Sequence, residues 1–154
     1  MSSLSHAVTI TVDCAPEVLY DLVADVTRTG EWSPICTACW WDEGEHARVG
    51  AVFTGRNEVP GRTWETRSEV VVADRGREFA WVVGESVVRW AYTLAPVGSG
   101  TELTESWEFL PAGIEMFHQK YGTEAQAQIE SRTAAAHTGI PATLAAIKRI
   151  AEAG

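Results

Sequence analysis

A glutamate on an apolar strand face is the residue in this chain best placed to do chemistry. In the strand-like stretch Glu102–Phe109, Leu103, Glu105, Trp107 and Phe109 share one face, and Thr104, Ser106 and Glu108 share the other. The apolar set turns inward and takes Glu105 with it. A carboxylate in such surroundings either finds a partner or has its pKa raised. It then acts as a general acid or base, or anchors a ligand by a hydrogen bond. The other reading is a structural carboxylate paired with an Arg, a Tyr or a Trp N–H, or one that reaches water. His118, beside Phe117 and Tyr121, is a second candidate acid/base at a cavity mouth. Read without chemistry, it is a half-exposed helical histidine. His6, His46 and His137 offer less.

Cys36-Thr37-Ala38-Cys39 is a CxxC pair followed by Trp40-Trp41. A redox site wants the first Cys at a helix N-terminus, but this segment reads as strand. On a regular strand the two cysteines point to opposite faces and chelate poorly. A zinc site needs two further ligands, and only His46 is near. Free thiols are the expectation, and no metal or cofactor is expected anywhere. Gly-rich phosphate loops, HExxH, EF-hand loops and GxSxG are absent from the sequence. Trp40 and Trp41 also point opposite ways, so one of them is partly exposed or covered by a neighbour; an exposed Trp there would mark a cavity rim or a dimer contact.

The elements that position these residues follow from periodicity. His6–Val12 alternates as a strand, with Val8, Ile10 and Val12 on one face. Pro16 and Glu17 open a helix carrying Val18, Leu19, Leu22, Val23 and Val26 at helical spacing, and a second brief helical piece covers Thr27–Trp32. Six strands follow: Cys36–Asp42, Val52–Asn57, Thr63–Asp74, Phe79–Val83, Val87–Ala95 and Glu102–Phe109. Turn chemistry separates them, at Pro60-Gly61 and Gly98-Ser99-Gly100 among other places. Such short connections imply antiparallel neighbours. After Pro111, Ile114, Phe117, His118 and Tyr121 share a helical face. From Thr123 onward Ile129, Thr133, Ala136, Ile140, Leu144, Ile147 and Ala151 form an apolar stripe, which Pro141 is expected to kink or locally break. The chain therefore reads as one α+β domain over residues 1–154.

Strand parity also sorts the inner surface. Phe53 and Asn57 align on one strand, and Trp64, Thr66 and Ser68 on the next. Phe79 and Trp81 point in from the fifth strand, Trp90 and Tyr92 from the sixth, and Trp107 from the seventh. With Phe117 and Tyr121 they make an aromatic surface bearing a few polar points, the usual description of a small-molecule site. Seven tryptophans fit such a surface. A packed core is the competing reading, since aromatic stripes serve both.

Composition excludes several partners. In 154 residues, 21 acidic against 12 basic side chains give a formal net charge of -9. Nucleic acid needs clustered Lys and Arg, and anionic membranes favour basic patches. No stretch is long enough to insert in a membrane. Met1–Ala7 lacks a basic leader and an apolar run, so the expected location is cytoplasmic, with reduced thiols.

The chain resembles the START-like (SRPBCC) superfamily, in its polyketide cyclase/dehydrase and lipid-transport-like branch. The resemblance rests on Ala15–Val26, Glu31-Trp32-Ser33-Pro34, Val49–Asn57, Trp64, Asp74–Ala80, Arg89–Leu94 and Gly100–Trp107. It implies a helix-grip fold: a curved seven-stranded antiparallel sheet around a long C-terminal helix, two short helices between the first two strands, and a mostly apolar cavity. It implies binding of a hydrophobic small molecule, a lipid or polyketide-like aromatic. A cyclase or dehydratase using Glu105, and a protein-interaction module, are the alternatives. Self-association, if it occurs, is expected to give a homodimer.

Overall fold

The computed structural model describes residues 4–154. Seven strands form one antiparallel sheet: β1 Ser5–Val12, β2 Cys36–Glu43, β3 Val52–Val59, β4 Arg62–Asp74, β5 Glu78–Val83, β6 Val88–Val97 and β7 Gly100–Phe109. Their order is β1-β7-β6-β5-β4-β3-β2. Strands β2 to β7 are consecutive neighbours because their connections are tight. Gly61, at φ 81°, turns the β3–β4 hairpin in the left-handed region that glycine adopts without strain. Strand β1 closes the order by pairing with β7 from Ser5↔Glu108 to Val12↔Thr101.

Helix α1 (Pro16–Val23) begins on Pro16 after the extended Ala15, without a side-chain cap. The piece expected as a second short helix is a 3-10 segment, Val26–Glu31. Asp25 starts it by accepting from the Thr27 amide at 3.2 Å. After β7 come α2 (Pro111–Tyr121), a 3-10 turn at Gly122–Glu124, and α3 (Ala125–Ala153). Helix α3 packs on α2, β1 and β7. Its buried stripe, Ile129, Ala136, Ile140, Leu144 and Ile147, faces a core that includes Val12, Leu19, Phe79 and Leu103. Two polar contacts tie down its last turns. Lys148 donates to the Thr11 carbonyl at 2.7 Å, and Glu152 accepts from the Asp13 amide at 2.8 Å.

Pro141 does not break α3, which runs helically from Ala125 to Ala153. Pro141 is exposed, and so is most of His137, whose carbonyl loses the i+4 amide. Ile140 and Leu144 beside them remain fully packed.

Two helical glycines play opposite parts. A Cβ on Gly113 would lie 2.3 Å from the Val87 carbonyl oxygen, so α2 reaches the β5–β6 hairpin only because residue 113 has no side chain. A Cβ on Gly139 would meet nothing nearer than Pro34 Cγ at 3.8 Å, an ordinary contact. Gly113→Ala is therefore expected to lose about 1–3 kcal/mol through overpacking, against its helix propensity. Gly139→Ala is expected to gain up to about 1 kcal/mol. Urea titrations of both variants check this, and a stabilised Gly113→Ala protein would contradict the close approach.

Candidate functional site

Burial of the β1–β7–β6 strip defines the site. His6, on the same β1 face as Val8, Ile10 and Val12, stacks on His137 of α3 with ring centroids 3.8 Å apart. That face is thus the one α3 covers. Across the sheet Val8 pairs with Glu105, and Glu105 with Tyr92. Cross-strand partners share a face, so Glu105 points inward beneath α3. It is 4 % exposed, and its Oε1 has no hydrogen-bond partner among the described residues. Burial pushes its carboxyl up to about 8. At neutral pH Glu105 is thus mostly a neutral acid with a proton to donate.

Tyr92 is buried as well. Burial, and then the Glu105 charge, raise its hydroxyl well above the ordinary value, while a hydrogen bond with Trp32 opposes them. An indole N–H only donates, so Trp32 donates to the Tyr92 oxygen. Trp32 ends the 3-10 segment and is itself buried. It is a site residue absent from the parity analysis. The one available signal was its type, since a buried indole needs an acceptor.

The aromatic surface forms two clusters. Around Trp81 lie Phe79 at 5.3 Å, Tyr92 at 5.8 Å, Phe53 at 6.0 Å and Trp90 at 6.4 Å between ring centroids. Phe53 and Phe79 are buried, but Trp81 and Trp90 are only half-buried. Trp64 is half-buried too, with the Arg62 guanidinium 4.1 Å above its ring. The second cluster runs from Trp107 through Phe109 to Phe117 and Tyr121, in steps of 5.0 to 6.0 Å. The polar points separate: Ser68 is buried, while Asn57 Nδ2 donates to Thr66 Oγ1 at 3.3 Å beside Gly55.

Two expectations need correction. His118 is exposed, and it does not join Phe117 and Tyr121 on the packed face. The approach of Gly113 to Val87 centres the buried stripe of α2 on Gly113 and Phe117, which turns His118 to solvent. Cys36 and Cys39 do not point to opposite faces. A register shift between Cys36 and Ala38 resets the alternation and places them opposite Asn57 and Gly55. Two surface grooves lie apart from the expected hollow between sheet and helix. A groove of about 420 Å³ is lined by His6, Arg89, Trp107 and neighbours, and one of about 470 Å³ by Tyr20, Trp41, His46, Arg75 and neighbours. Neither includes Glu105 or Tyr92. Trp41 packs inward on Phe53 at 5.5 Å, and Trp40 carries the Arg56 guanidinium at 5.8 Å, so neither forms a bare apolar patch. Among the described residues no group of three His, Cys, Asp or Glu is placed to hold a metal ion, and no helix is long and apolar enough to cross a membrane.

A helix laid on a seven-stranded antiparallel sheet, over an inward acid and an aromatic surface, is a helix-grip protein. Residues 4–136 match the family model described as polyketide cyclase/dehydrase and lipid transport, and the chain belongs to that family. It is similar to a polyketide-cyclase-like protein from Corynebacterium glutamicum solved by NMR. The two are 54 % identical with a TM-score of 0.72, over 98 % of this chain and 93 % of that one. The di-domain ARO/CYC StfQ of the steffimycin biosynthetic pathway is 16 % identical with a TM-score of 0.70, over 97 % of this chain and 50 % of that one. A major latex-like protein from Panax ginseng is 15 % identical with a TM-score of 0.58, over 86 % and 95 %. The last two likenesses show the fold alone. No curated protein matches the chain.

The raised Glu105 carboxyl has a thermodynamic consequence. The folded state holds its proton up to about 8, whereas the ordinary value is 4.5. Between those values the folded state binds more protons than the unfolded chain, so stability falls as pH rises through that window. The slope contributed by this group approaches about 1.4 kcal/mol per pH unit. Glu105→Gln, neutral throughout, is expected to lack that contribution. Its stability advantage over the parent therefore grows from about pH 5 to about pH 8 in urea titrations. Parallel curves for the two proteins would contradict the assignment.

Proposed function

We propose that the chain binds a hydrophobic small molecule, a lipid or polyketide-like aromatic, between the inner face of the sheet and α3. The ligand carries a hydrogen-bond-accepting oxygen, and neutral Glu105 donates to it. The single observation behind this reading is the buried Glu105 Oε1 that no described residue satisfies. An unpaired polar atom in a packed interior costs about 1–3 kcal/mol, and a ligand atom that fills the vacancy recovers that cost. Apolar burial against Trp81, Trp90 and Tyr92 supplies the rest of the affinity, and the fixed Trp32–Tyr92 pair limits which ligand shapes fit. Half-buried Trp64, Trp81 and Trp90 are inward residues that the core does not fully cover, which supports entry on their side.

Catalysis of a cyclisation or dehydration is the second reading. It is favoured by the family description and by a carboxylic acid that stays protonated near neutral pH. Such chemistry asks for an acid and a base converging on one substrate. Exposed His118 does not supply the base. Glu105 alone serves binding and orientation, so binding is the stronger reading.

Calorimetric titration with 2-acetylnaphthalene and 2-methylnaphthalene, near-isosteric probes with and without an acceptor oxygen, tests the donor role. The acetyl compound is expected to bind about five- to tenfold tighter below about pH 7. That preference vanishes above about pH 9, where Glu105 is ionised, and in Glu105→Leu at any pH. Equal binding of both probes, or a preference that survives Glu105→Leu, would count against the proposal.

A further inference from the structure

Cys36 and Cys39 stand on one face of the sheet because β2 is irregular where they lie. Cys36 pairs with Asn57 and Cys39 with Gly55, two positions apart on β3, and Thr37 is the extra residue between them. Two positions on β3 span about 6.6 Å, near the upper end of the Cα separations a disulfide bridges. Both sulfurs lie over Gly55. A Cβ there would be 3.2 Å from Cys36 Sγ and 3.9 Å from Cys39 Sγ. Cys36 Sγ is placed to donate to the Ala38 carbonyl at 3.3 Å, and the two thiols lie close enough to perturb each other's ionisation. Cys36 is half-buried and so open to a small reagent, while Cys39 is buried behind it.

We propose that Cys36 and Cys39 form a reversible dithiol–disulfide site, with Cys36 as the residue attacked first and small hydroperoxides as the oxidant. The neighbouring Cys39 side chain lowers the Cys36 pKa while burial raises it, and Cys36 together with burial pushes Cys39 up. Exposure sets the order: half-buried Cys36 meets the peroxide first, and buried Cys39 resolves the sulfenic acid. In the first step Cys36 sulfur attacks the terminal peroxide oxygen. The O–O bond breaks, the alcohol leaves with a proton, and Cys36 becomes a sulfenic acid. In the second, Cys39 sulfur attacks Cys36 sulfur, the S–O bond breaks, and the Cys39 proton leaves with the hydroxyl as water. Two thiols give up two electrons, and one hydroperoxide becomes an alcohol and water. A small external dithiol reverses the change by thiol–disulfide exchange. The site does not depend on the ligand proposed above.

Cys14 is an internal control. It lies outside β2, in the β1–α1 connection, and burial raises its pKa. The folded, reduced full chain is treated with tert-butyl hydroperoxide, then its thiols are titrated and its intact mass and peptides read by mass spectrometry. Two of the three thiols are expected to disappear, with loss of two hydrogens from an unchanged monomer, a Cys36–Cys39 cross-linked peptide and full recovery on adding dithiothreitol. Cys39→Ser is expected to stop at a sulfenic acid on Cys36 that a cyclic 1,3-dione traps. Three thiols still titrating, consumption of Cys14 first, bridges only between chains, or a dione adduct on Cys14 alone would each overturn the proposal.

Discussion

Ile140, Leu144 and Ile147 hold α3 against the β1 and β7 side of the sheet, and that apolar seam governs the rest of the molecule. Burying three such side chains stabilises by about 1.5–3 kcal/mol each. The seam also decides which face of β7 loses water. Once Leu103 and Trp107 are committed inward, the two-residue period carries Glu105 with them. The acid is buried by its neighbours, not by any affinity of its own for the interior. Its raised pKa is the electrostatic trace of that constraint.

Around the acid, the chain keeps some polar groups satisfied and leaves one unpaired. Trp32 donates to the Tyr92 oxygen, and Asn57 donates to Thr66. Oε1 of Glu105 alone is buried without a partner among the described side chains. A vacancy of that kind in an otherwise paired interior is characteristic of a site whose missing partner comes from outside. The aromatic surface beside it is half-buried at Trp81 and Trp90, where a packed core would bury them completely. Acid and aromatics together support the proposed binding function within a family described by polyketide cyclisation, dehydration and lipid transport.

Much of this was legible in the residue pattern, for a physical reason. Strand β7 is regular and paired on both sides, so alternation alone placed Glu105. Strand order followed from turn residues and short connections. What escaped depends on contacts that no local period encodes. The extra residue at Thr37 is defined only by pairing with β3, so the shared face of Cys36 and Cys39 could not be read from a CxxC spacing. Trp32 meets Tyr92 only because the fold brings the 3-10 segment onto a distant strand. His118 shares a helical face with Phe117 on paper, but the approach of Gly113 to Val87 rotates that face away from it. Pro141 reads as a breaker, yet its placement on the solvent side leaves the buried seam continuous.

The protonation state of Glu105 is the central claim, and it can be observed directly. Carbon-13 NMR of the full chain with labelled glutamate side-chain carboxyls would follow each group through a pH titration. One resonance is expected to titrate near 8, and to be missing from Glu105→Gln. If every glutamate carboxyl titrates near the ordinary 4.5, the buried acid is ionised at neutral pH, and the account of the site fails.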